Sequence, residues 1–176
     1  MSKYKEYKLI RDRELSPRVA LWFSQMQEIR IELFSKINEI NDELLDFTVN
    51  DRKIETIGTL LLHIAAIEWS WIFEDIDGLE MDFDEWKHAF PLRPDVNLPQ
   101  LKGKGKKFYL DKLEKVRLEV YNRLKNFKDE DLDQLVGSDK KKYTIEWILH
   151  HLVDHEIWHL GQISLIERLF EINKKE

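Results

Sequence analysis

Four segments of this chain place apolar residues at every third or fourth position, a spacing that limits it to a fold of packed helices. The first opens at Ser16-Pro17, with the proline ring at the first helical position, and continues through Val19, Trp22, Phe23, Met26, Ile29, Leu33 and Ile37. The second is capped by Thr56 and runs through Leu60, Ile64, Ile67 and Trp71 toward a stop near Gly78. A third carries Leu110, Leu113, Val116, Val120, Leu124 and Phe127. After a turn over residues 137–142, Thr144 caps the fourth, which extends to about Asn173 with a stripe of Ile145, Ile148, Leu152, Ile163, Ile166 and Phe170. Rods that each have one apolar face bury those faces against one another, so the expected architecture is an all-α four-helix bundle.

The connections read differently. Residues 38–52 are polar, with a short helical turn expected around Glu43, Leu44 and Leu45. Residues 78–107 hold three of the four prolines (Pro91, Pro94 and Pro99) and read as a long loop between the second and third helices, with one short helix over residues 84–89. Loops of this length often cover functional sites. A faint internal echo links residues 56–63 to residues 144–151: both begin Thr-Ile, carry an apolar pair and end in His.

At 176 residues the chain is expected to form one domain over residues 1–176. The net charge of −6 argues against a nucleic-acid or anionic-membrane partner, either of which needs a basic footprint. The opening residues alternate charge with isolated apolar side chains, and the longest uncharged apolar run, residues 60–67, is far short of a membrane span; the cytoplasm is the expected location. With no cysteine, disulfides and thiolate ligands are excluded, and any transition-metal site must use histidine and carboxylate.

His151, His155 and His159 stand at i, i+4 and i+8 in the fourth helix. Residues four apart lie about 40° from one another around a helix axis, so the three rings share a flank. On the wheel His155 and His159 fall inside the apolar stripe and His151 at its edge. Buried imidazoles need partners. One reading is a pair of core histidines hydrogen-bonded to neighbours; the other is metal coordination, favoured by two adjacent rings with a third beside them. His63, on the Leu60/Ile67/Trp71 side of the second helix, supplies a ligand from a second rod. A three-histidine site of His63, His155 and His159 leaves a coordination position open, which suits a catalytic metal, and imidazole suits zinc or nickel. His151, Glu156 and Asp154 are candidates to orient the ligand rings or to face solvent, whereas His150 points away and His88 reads as a surface residue.

Rival motifs lack their context. His155-Glu156-x-x-His159 has the HExxH form of zinc proteases, but Gln162 stands where the longer pattern needs glycine, and no strand is evident to bind a peptide. Glu156-x-x-His159 and Glu85-x-x-His88 share the ExxH form of di-iron bundles, yet the Glu85 copy is too confined for a core helix. Gly103-Lys104-Gly105-Lys106-Lys107 has neither the spacing nor the hydroxyl of a phosphate-binding loop.

Thr-Ile-Gly-x-Leu-Leu-x-His at residues 56–63, His-x-x-x-His-x-Gly-Gln-Ile at residues 155–163 and the acidic segment at residues 129–133 together resemble the DinB-like (DinB/YfiT) superfamily over nearly the whole chain. The resemblance implies a four-helix bundle, often a homodimer, with a divalent metal on His63, His155 and His159, and with His151 at a position that is often histidine in relatives. It also implies a small-molecule substrate and a reaction such as S-transfer from a low-molecular-weight thiol like bacillithiol. The open metal position would take the thiol sulfur and favour its thiolate, or take a water for hydrolysis. A noncatalytic stress or interaction protein with a structural metal is the competing class. Relatives commonly carry arginine where this chain has Leu160, so any anion contact made by that side chain is missing here.

Overall fold

The computed structural model describes residues 6–48, 55–92 and 101–175. Residues 49–52 of the polar stretch and residues 93–100 of the long connection, with Pro94 and Pro99, lie outside the described residues, as do the first five.

Helix α1 spans Pro17–Glu39. Ser16 has the extended backbone of a cap, but its hydroxyl donates to Phe127 O at 3.2 Å instead of capping its own helix. The exposed first turn is served from elsewhere: the Arg18 amide donates to Asp129 Oδ1 at 2.8 Å. The Arg18 guanidinium then bonds Asp129 O, Asp133 and Glu146. The acidic segment forms a 3-10 turn, Asp129–Asp133, that closes the start of α1.

Helix α2, Asp42–Leu45, is the expected short turn, capped by Asn41 on the Leu44 amide. Helix α3 spans Ile57–Trp69 and continues as a π-helix, Ser70–Ile76. Thr56 caps it by accepting from the Thr59 amide at 3.0 Å, and Thr144 does the same for the last helix at the Trp147 amide, so the echo between the two segments is a shared capping geometry. Gly78 ends the π segment at φ 72°, with its amide on Glu74 O and that of Leu79 on Phe73 O.

Helix α4, Phe83–Trp86, is shorter than the expected 84–89 helix; Trp86 at its end and Ala89 just beyond it are buried. Helix α5 spans Lys106–Leu124 and α6 spans Ile145–Asn173. The turn before α6 is flanked by two strands that were not expected: β1, Leu135–Gly137, pairs antiparallel with β2, Lys142–Thr144.

The four long helices form the bundle. Helix α3 packs on both α5 and α6, and α1 on α6 and α5. Being surrounded, α3 is buried almost all round, from Ile57 to Ala66. Residues Ile57–Ile76 have the length and hydropathy of a membrane-crossing helix, yet 72% of their most apolar window is buried inside the protein, as befits the central rod of a core. Gly58 permits the closest approach: a Cβ there would meet Tyr109 Oη at 2.5 Å.

Each long helix also contributes one charged side chain to the core. Arg30 of α1, Glu68 of α3, Arg117 of α5 and Glu156 of α6 are all buried and form a closed ring. Arg30 Nε donates to Glu156 Oε1 at 2.6 Å and Arg30 Nη2 to Glu68 Oε2 at 2.7 Å, while Arg117 bonds both carboxylates. The spare guanidinium protons reach Leu113 O and Met26 O. Burial pushes the Glu68 carboxyl up, but Arg117 and Arg30 outweigh it and hold the group below the usual carboxylate range. Two positive and two negative charges cancel, so the ring can stay ionised without water.

Candidate metal centre

His63 sits in the second turn of α3, and His155 and His159 sit one turn apart in the middle of α6. All three rings enter the same gap between the helices, each no more than 8% exposed. His155 Nε2 lies 3.2 Å from His63 Nε2 and 3.0 Å from His159 Nε2. The three candidate ligand atoms all fall within 4.8 Å of one another. The geometry the sequence required of two separate rods is therefore present.

The remote ring nitrogens decide which way the lone pairs face. His63 Nδ1 is 2.8 Å from Ala89 O, and His159 Nδ1 is 2.6 Å from Gln162 Oε1. A carbonyl oxygen only accepts, so each Nδ1 carries the proton and each Nε2 presents a lone pair to the common point. Burial pushes the His63 imidazolium down to about 4, aided by His159 and opposed by the bond to Ala89 O. Burial, then His159, His63 and His151, pushes His155 to about 2. His159 is also lowered by burial, against the opposing pull of Gln162, Glu55 and Glu156. All three rings are neutral at pH 7, the state a metal requires.

The spacing fits an ion. A tetrahedral centre with zinc–nitrogen bonds of about 2.05 Å separates its ligand nitrogens by about 3.3 Å. The Nε2 separations of 3.0 and 3.2 Å are close to that edge. A three-histidine cluster of this geometry could hold a divalent metal.

The flanking residues fall into place less uniformly. Glu156 is not an orienting partner of the ligand rings: its hydrogen bonds go to Arg30 and Arg117. The same engagement removes it as the general base of an HExxH protease. Asp154 pairs instead with His150 at 3.1 Å on the half-exposed side of α6. Glu85 is on the short α4 and pairs with Lys112, away from any second long-helix ExxH. His151 is half-buried, 5.8 Å centroid to centroid from His155, and stacks on Trp147. Burial lowers its pKa.

The orienting groups found here, Ala89 O and Gln162, were not singled out from sequence for that role. Gln162 left a usable trace, since i+3 from His159 is one turn along the same flank. A backbone carbonyl leaves none.

A family model of the DinB superfamily matches residues 25–163. The chain belongs to the DinB superfamily. The chain is similar to the uncharacterized Bacillus subtilis (strain 168) protein YizA, 25% identical over 158 residues that cover 86% of this chain and 87% of YizA. YkkA of the same organism is 21% identical over 159 residues, covering 88% and 89%. Among solved structures, a conserved protein from Enterococcus faecalis superposes with a TM-score of 0.64 at 16% identity, over 85% of this chain and 94% of that one. A DinB-like protein from Bacillus cereus ATCC 10987 superposes with a TM-score of 0.61 at 18% identity, over 88% and 91%. At such identities the superpositions establish the shared bundle fold.

Proposed function

We propose that this DinB protein is a metal-dependent enzyme that joins a low-molecular-weight thiol, of the bacillithiol kind, to a small electrophile. The observation that carries the reading is the donor count: His63, His155 and His159 offer three ligand atoms at one point, which leaves an ion there open to a small molecule. A divalent ion, zinc or nickel, supplies Lewis acidity that lowers the pKa of a thiol or water it binds. The protein's own residues do the rest. His63 and His159 stay neutral and aimed, their Nδ1 protons held by Ala89 O and Gln162. The buried charge ring, which includes the neighbour of His155, ties α3 and α6, the two helices that carry the ligands, to each other and to α1 and α5. The chain has no cysteine, so the thiol must arrive as a co-substrate, which suits the reducing cytoplasm.

Metal analysis and thiol-conjugation assays test this together. Purified protein is expected to carry one zinc or nickel ion per chain, and His63→Ala, His155→Ala and His159→Ala each to lose it. With bacillithiol and related thiols against a panel of electrophiles, conjugation is expected in the loaded wild type and at background in the variants. Hydrolysis that needs the metal but no thiol would move the reading to a hydrolase. A loaded protein that is inert, with only its melting temperature falling on metal removal, would make the metal structural. Light scattering on the same samples reads whether the protein is the homodimer expected from the resemblance.

A further inference from the structure

We propose that two copies of this chain join through the outer face of α6, their helices crossing antiparallel at Gly161. The inner face of this helix is taken up by the core, where Leu152, Ile163, Ile166 and Phe170 are buried. At about 100° per residue, Ile157, Trp158, Leu165 and Ile172 fall on the opposite side, within about 60° of Gly161. They keep 42%, 63%, 55% and 54% of their surface in water. Apolar side chains exposed singly are ordinary, but four on one helix face mark a surface that something covers. Gly161 sits in the middle of that face. A glycine inside a helix is unfavourable relative to alanine, and nothing in the chain itself requires this one, since a Cβ there would meet no atom within 4 Å. Bare backbone on an apolar face is what lets another helix approach closely.

The charges select a second copy as the partner. A two-fold axis at Gly161 brings residues equally far before and after it level with each other in the two copies. Asp154 and Arg168 are each seven residues from the glycine and on its face, so each end of the crossing sets a carboxylate against a guanidinium. Ile157 and Leu165 are each four residues away and meet between those ends. Trp158 comes level with Ser164, whose small side chain leaves room for the indole. Both charges are available. Arg168 is exposed and has no hydrogen bond or ion pair among the described residues, and Asp154 forms an ion pair only with the half-exposed His150, at 3.1 Å. Parallel pairing would set Asp154 against Asp154 and Arg168 against Arg168. Neither a small ligand nor an unrelated protein gives this face a reason to complement itself about a single residue.

Sedimentation velocity on metal-free protein tests this independently of the metal reading. The wild type is expected to run at twice the 21.3 kDa of one chain at micromolar concentration. Leu165→Glu, checked for folding by circular dichroism, is expected to run as a monomer. Asp154→Arg and Arg168→Asp each set like charges against one another at both ends of the crossing and should weaken the dimer by at least about tenfold. Combining them restores opposite charges and should return the affinity to within about threefold of wild type. The chain has no cysteine, so Gly161→Cys should cross-link two copies under mild oxidation, whereas Leu118→Cys, on the exposed side of α5, should not. A wild type that sediments as a monomer overturns the proposal and leaves the face to another partner. A dimer that survives Leu165→Glu, or charge reversals that do not rescue each other, overturns it as well. Where Leu165→Glu fails to fold, the charge pair and the cross-link decide by themselves. Cross-linking through Leu118→Cys and not through Gly161→Cys moves the contact to another face and ends the proposal.

Discussion

Gln162 illustrates how a single side chain can set a site it does not enter. Its oxygen, 2.6 Å from His159 Nδ1, holds the ring in the tautomer whose Nε2 faces His155 and His63. Replacing it by leucine removes the acceptor, so Gln162→Leu is expected to weaken zinc binding about 10- to 100-fold, read by competition with a chromophoric chelator. Unchanged affinity would mean that the ring is held by packing alone. The same scale shows where sequence reading stopped. His63, His155 and His159 were legible because imidazoles on apolar stripes are rare. The position of Glu156 beside His155 predicts an orienting neighbour, yet the side chain turns to Arg30 and Arg117. A helical wheel gives a direction, and partners on other helices decide which contact wins.

At the scale of elements, the charge ring is the device that fixes which helix faces which. Arg30 lies on the Met26/Leu33/Ile37 stripe of α1, Arg117 on the Leu113/Val120/Leu124 stripe of α5, and Glu68 and Glu156 likewise interrupt the stripes of α3 and α6. Four lone charges on four core stripes, two of each sign, are a sequence signal that becomes readable only once the helices are known to meet. Arg117→Met leaves two buried carboxylates sharing one guanidinium, and is expected to lower stability by about 3–5 kcal/mol in urea denaturation. A loss below about 1 kcal/mol would show that the ring is replaceable. Element ends were less legible. The β1–β2 hairpin is only three residues per strand, too short for an alternating pattern to stand out from a turn.

For the whole molecule, the neutral histidines tie stability to pH. His63 and His155 titrate at about 4 and about 2 in the folded state, against 6.5 for a free imidazole. Below pH 6.5 the unfolded chain takes up protons that the folded one refuses, so metal-free protein loses stability as pH falls and gains none above that value. The slope is about half of the 1.4 kcal/mol per pH unit limit for each of the two groups at pH 6.5 and approaches that limit near pH 5. Urea denaturation across that window measures it, and His155→Gln should remove one group's share. A flat profile would mean that the rings are protonated in the fold.

The helices, their caps at Thr56 and Thr144, the bundle and the three convergent histidines were determined by the sequence itself, because periodicity and capping are local and a buried imidazole stripe is chemically conspicuous. Tertiary structure alone decided what those residues touch: Ala89 O and Gln162 on the ligand rings, Glu156 in the charge ring, Asp129 at the start of α1, Trp71 against the Tyr143–Trp147–His151 stack. Such contacts join residues up to 126 positions apart. Their energies depend on distances of a few tenths of an ångström, which no spacing along a single helix encodes.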